Sequence, residues 1–109
     1  MADTLGMVGP KLFAPAIRKL KPITRRQWHI AVERAKFAAN KKYYRRECYR
    51  RYGTNCLRCL KVFHRVRFAD QINHVISLYN FGKTEDDNHQ PICGECNLWK
   101  WTKNIDYQT

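Results

Sequence analysis

Acidic residues are nearly missing from the front of this 109-residue chain. Asp3, Glu33 and Glu47 stand against fifteen Lys and Arg between residues 1 and 59. Residues 60–109 balance six against six, so the whole surplus of +12 sits in the first half. A field this lopsided favours a polyanion, nucleic acid before an anionic membrane, over a basic helix that serves only solubility. Long apolar runs are also missing. Nothing approaches the ~18 residues of a membrane span. The opening MADTLGMVGP lacks the basic-then-apolar order of a secretory signal. The expectation is a soluble, nucleic-acid-associated protein of the cytoplasm, with no membrane partner. Cysteine, by contrast, is present five times. An odd count argues against a purely disulfide framework, and in a reducing compartment paired cysteines more often hold metal.

Three regions follow from composition. Residues 1–23 read as an N-terminal arm, interrupted by Gly6, Gly9, Pro10, Pro15 and Pro22, with Leu12, Phe13, Ile17 and Leu20 able to dock on this domain or on another protein. Residues 24–53 read as a basic helix with Thr24 as N-cap, Gly53 as stop and a break near Asn40. Trp28, Val32, Ala35, Ala39 and Tyr43 recur at helical steps and predict its packed stripe. Arg25, Arg26, Lys41, Lys42, Arg45, Arg46, Arg50 and Arg51 crowd the rest and are candidate phosphate contacts. Residues 54–109 form the third region. Val66, Phe68, Ile72, Ile76 and Leu78 suggest short strands, with a hairpin running through Ile72–Ile76. A polar loop over 79–91 and a short helix carrying Cys96 and Asn97 in its first turn follow. Trp99 and Trp101 read as packing residues, His89 as a surface residue, and Cys48 as an ordinary helical residue.

Two C-x2-C knuckles, Cys56/Cys59 and Cys93/Cys96, are separated by 33 residues. Each bends the chain so that two thiolates point to one spot, and together they make the tetrahedral sulfur set that suits Zn²⁺. Four sulfurs close the shell, so this zinc is structural and any chemistry needs other residues. In a chain this short the metal is expected to be required for folding.

The segment between the knuckles supplies those residues. Asn73-His74-Val75-Ile76-Ser77-Leu78, then Gly82, then Asn88-His89-Gln90-Pro91-Ile92-Cys93, then Cys96-Asn97 and Lys100, resembles the HNH nuclease pattern over roughly residues 45–107. The resemblance implies an α+β fold: a small zinc-stabilised ββα-metal (His-Me finger) domain, here preceded by the long basic helix. It implies His74 as the general base that activates water. It implies a Mg²⁺ or Mn²⁺ ion between Asn73 and Asn97, Asn88 as the residue that holds the loop, and Lys100 and Lys103 on phosphate. DNA would be the substrate, cut by nicking or double-strand cleavage, and stand-alone members of the family are often phage-encoded. The chemistry is sound on its own terms: a neutral imidazole takes a proton from water near neutral pH, and amide oxygens are hard ligands.

One position departs from the pattern. Asn73 stands where the family usually has Asp, which leaves both ion ligands neutral. Three explanations are open: a tolerant enzyme in which phosphate oxygens complete the shell, an inactivating Asp-to-Asn change, or a domain that kept its fold and lost its chemistry. Asp70 is a substitute carboxylate if the strand is unbroken. The competing functions are a non-catalytic zinc module that binds nucleic acid and a structural subunit of a nucleoprotein assembly.

Overall fold

The computed structural model of the chain describes residues 22–108; most of the arm expected over 1–23 lies outside them. Thr24 opens the first helix, α1 (Arg25–Ala39), with a capping box. Its Oγ1 accepts from the Gln27 amide at 3.0 Å, and Gln27 Oε1 accepts from the Thr24 amide at 2.9 Å. The expected break falls at Asn40, whose φ of −129° is not helical, and α2 (Lys41–Tyr52) restarts beyond it. Gly53, at φ 81°, ends α2 in a conformation that costs glycine little.

The packed face of α1 is not the predicted stripe. Trp28 is 64% exposed, and Val32, Ala35, Ala39 and Tyr43 also face outward. Ile30, Glu33 and Phe37 turn inward instead. Two polar anchors set this rotation. His29 Nε2 donates to the Gly82 carbonyl at 2.6 Å, and Glu33 Oε1 accepts from the Thr84 amide at 2.5 Å. Hydrophobic periodicity is blind to a glutamate used as an anchor.

The first knuckle does not lead into a strand. Residues Leu57–Phe63 form α3, capped by Cys56 Sγ accepting from the Cys59 amide. A two-stranded antiparallel sheet follows, β1 (Gln71–His74) on β2 (His89–Ile92). The strand thus ends at His74, short of Ile76. The register pairs Asn73 with Gln90 and His74 with His89. Side chains alternate across a sheet, so the amides share one face and the imidazoles the other. Between the strands lie two 3-10 turns, Leu78–Asn80 and Asp86–Asn88. Gly82 sits where an added Cβ would fall 1.8 Å from the Ile76 carbonyl oxygen, so no side chain fits. The last helix, α4 (Gly94–Lys100), starts on Asp70 Oδ1, which accepts from the Gly94 amide at 2.9 Å. Asp70 therefore closes the second knuckle and is not the substitute carboxylate. The buried core is small: the four knuckle cysteines with Ala69, Ile92 and Tyr107. Cys48 is buried in α2, and burial pushes its thiol up to about 12.

Candidate metal centre and active-site cleft

Cys56, Cys59, Cys93 and Cys96 converge with all four Sγ atoms within 4.8 Å of one another. Cys59 Sγ lies 3.9 Å from Cys93 Sγ and 3.7 Å from Cys96 Sγ. A tetrahedron with Zn–S bonds of about 2.3 Å has edges of about 3.8 Å, so the cage has the size of a zinc site and is far too open for disulfides. Burial raises the Cys56 thiol and pushes Cys96 up to about 12. At Cys59 burial is outweighed by the Arg65 guanidinium and the neighbouring thiols, which bring it down to about 7. Arg58 Nη1 donates to Cys96 Sγ at 3.4 Å. The donors, their spacing and the flanking guanidiniums fit a tetrahedral Zn²⁺.

A second feature lies beside this cage. Asn73, His74 and Asn97 line one cleft of about 820 Å³, with Arg34, Tyr79 and Trp101 also on its walls. On the α4 side the amides form a continuous chain. Asn97 Nδ2 donates to Gln71 Oε1 at 2.6 Å, Asn73 Nδ2 to Asn97 Oδ1 at 2.8 Å, and Gln90 Nε2 to Asn73 Oδ1 at 3.1 Å. Gln90 is itself held by the Ile105 carbonyl and the Tyr107 amide. Asn73 and Asn97, joined by their hydrogen bond, each carry one hard, uncharged oxygen. They suit a divalent ion in kind, with the balancing negative charge left to a phosphate.

On the other face His74 Nε2 lies 3.1 Å from Thr84 Oγ1 and 3.3 Å from His89 Nε2. Burial, and then the neighbouring His89, lowers the His74 imidazole to about 4, so it is neutral near pH 7. His89 is 1% exposed, not on the surface as expected. It packs edge-on against Phe37 and Tyr44, and burial lowers it to about 4. Asn88 staples the intervening loop. Its Oδ1 accepts from the Ile76 amide at 2.8 Å, and its Nδ2 donates to the carbonyls of Ile76 and Lys83.

Lys100 corrects a further expectation. It is fully buried, and its ammonium donates to the His74 carbonyl at 2.9 Å and the Val75 carbonyl at 3.3 Å. Burial lowers it to about 8. It holds the end of β1 and has no surface from which to reach phosphate. Lys103 stays exposed above the Trp99 ring at 4.7 Å, with Arg58 at 3.9 Å from the same ring. Trp101, expected in packing, is 77% exposed at φ 48°, a left-handed conformation strained for any residue but glycine.

Among the helical cations, Arg25, Lys41, Lys42 and Arg46 are exposed. Arg26 is exposed too but donates to the Tyr79 carbonyl at 2.8 Å and lies over the Tyr79 ring. Arg45 donates to Tyr49 and the Asp70 carbonyl. Arg50 pairs with Glu47, and Arg51 with Glu47 and Asp87. Arg26, Arg45, Arg50 and Arg51 are thus engaged within the protein, which the charge count did not reveal. Arg34 was missed as a cleft residue, and Thr84 and Glu33 as the buried groups behind His74. Arg34 and Glu33 belong to a helix face that only the packing defines.

No helix among the described residues is long and apolar enough to cross a membrane. No curated protein and no solved structure matches the chain. A family model does: the HNH endonuclease model aligns with residues 56–102, from the first knuckle through α4. The α+β fold, the four clustered cysteines and that match together make the knuckle-to-knuckle segment an HNH endonuclease domain.

Proposed function

We propose that this chain is a divalent-metal-dependent endonuclease that hydrolyses DNA phosphodiester bonds, with His74 as general base. The observation that carries the reading is that His74, Asn73 and Asn97 all line one cleft. His74, neutral near pH 7, takes a proton from the attacking water, whose oxygen bonds to phosphorus as the bond to the leaving sugar oxygen breaks. Mg²⁺ or Mn²⁺ bound by Asn73 and Asn97 would offset charge on the phosphate and the leaving oxygen. Arg34 faces the same cleft and is placed to hold a non-bridging phosphate oxygen. Asn88 keeps the 76–83 loop in register, and Lys100 keeps the His74 carbonyl in place. The exposed cations of α1 and α2 track backbone phosphates and carry little sequence choice. If about six contacts form, log K falls against log salt with a slope near −5.

A second reading has one observation in its favour. The amides of Asn73 and Asn97 already bond to each other, to Gln71 and to Gln90, and among the described residues no carboxylate joins that chain. A zinc module that binds nucleic acid without cutting it fits that arrangement. Supercoiled plasmid separates the two: the endonuclease converts it to nicked circles in Mn²⁺ or Mg²⁺ and His74→Ala does not, whereas a binding module retains the plasmid and leaves it intact.

A further inference from the structure

We propose that Thr84, clasped by Glu33 of α1, fixes the His74 proton on Nε2 and so leaves Nδ1 as the atom that accepts a proton from water. Thr84 and Glu33 are positioning residues. The tautomer stands on hydrogen-bond geometry alone, and only its effect on rate rests on the endonuclease reading.

The deduction follows from counting protons. The Thr84 hydroxyl has one, and its Oγ1 lies 2.9 Å from the Glu33 carbonyl oxygen, which can only accept. The hydroxyl proton is committed there. Toward His74 Nε2, at 3.1 Å, the same oxygen can only accept, so Nε2 must carry hydrogen. His89 Nε2, 3.3 Å from His74 Nε2, then shares that hydrogen as a second acceptor, which places the His89 proton on its own Nδ1. That Nδ1 is buried without a hydrogen-bond partner, with the rings of Phe37 and Tyr44 around its imidazole.

Three facts make the arrangement rigid. Thr84 is 3% exposed and Glu33 6%, so water does not compete for these bonds. The clasp has two points, because Glu33 Oε1 also accepts from the Thr84 amide at 2.5 Å. Lys36 lies 3.4 Å from the same carboxylate and keeps it charged and oriented. His74 Nδ1, by contrast, makes no hydrogen bond among the described residues, and His74 lines the cleft. The orienting group comes from α1, outside residues 56–102. The basic helix therefore completes the active site as well as adding charge.

The test uses the full, zinc-loaded chain with ¹⁵N-labelled histidine at pH 7.5, where two-bond ¹H–¹⁵N correlations distinguish the tautomers. The expected spectrum shows His74 protonated at Nε2 and His89 at Nδ1. Thr84→Val, which keeps the shape and removes the acceptor, moves His74 toward the Nδ1–H form, and Thr84→Ser restores the wild-type pattern. Cleavage by Thr84→Val falls about tenfold or more in kcat, within the roughly 10²–10⁴ that a positioned base supplies, with KM for plasmid little changed. Wild-type His74 protonated at Nδ1, or a tautomer indifferent to Thr84→Val, overturns the proposal. Should Thr84→Val fail to fold, the wild-type and Thr84→Ser spectra still decide. If the spectra are as expected and no protein cleaves DNA, the positioning role stands and the endonuclease reading falls.

Discussion

Replacing Cys93 by serine, or stripping metal with a chelator, is expected to unfold residues 54–108 rather than to loosen one knuckle. The buried core outside the cysteines is Ala69, Ile92 and Tyr107. A fully buried isoleucine is worth about 1.5–3 kcal/mol, so so short a set supplies only a few kcal/mol before chain entropy is counted. A structural zinc contributes about 10–16 kcal/mol in small peptides, comparable to the whole net stability of about 5–15 kcal/mol of an ordinary domain. The cage also ties α3 to α4 and, through Asp70 and Gly94, to β1. The assay is chelator titration with zinc release read by a metallochromic dye. Amide exchange in β1, β2 and α4 is followed in parallel. Loss of zinc and loss of protection should coincide in one transition. Hairpin amides that stay protected with less than about a tenth of the zinc bound would refute the reasoning, whose premise is that metal binding is folding energy.

Three more outcomes follow from individual side chains. Lys100→Met removes two buried hydrogen bonds to carbonyls and should cost about 1–3 kcal/mol in urea unfolding while leaving DNA affinity unchanged; lower affinity at full stability would put Lys100 back on phosphate. Trp101→Gly relieves the strained φ of 48° and should raise stability by about 1 kcal/mol, yet weaken DNA binding if the exposed ring walls the substrate cleft. His89, faced by His74, Tyr44 and Phe37, is held neutral because burial lowers it from an unfolded value near 6.5 to about 4. Its contribution is whole above pH 6.5 and is lost as pH falls toward 4, at about 1.4 kcal/mol per pH unit. His89→Leu should therefore lose less stability than the wild type between pH 6.5 and 5 by that slope, and equal slopes would contradict it.

What could be read in advance divides along local and nonlocal lines. Thr24, Asn40 and Gly53 act within a turn of their own positions, and their roles were visible at once. The knuckles were visible because zinc imposes their spacing. The rotation of α1 was not, since it depends on Glu33 meeting Thr84 across 51 residues. Likewise Lys100 looks like any surface lysine until α4 is docked on the end of β1. The pairing of His74 with His89 needs the strand register, which hydrophobic alternation leaves open in strands only four residues long. Gln71 went unnoticed and Gln90 was given no role for the same reason: their value lies in completing the amide chain around Asn73 and Asn97.

Dependence of plasmid nicking on Mn²⁺ concentration, compared between the wild type, Asn73→Asp and His74→Ala, bears most directly on the catalytic assignment. A carboxylate at position 73 should lower the metal concentration for half-maximal nicking by about tenfold, since one negative charge then replaces one of the two neutral amides. Removal of the imidazole should abolish nicking at every concentration while plasmid binding persists. Identical metal curves for all three proteins, or cleavage that survives His74→Ala, would contradict the account.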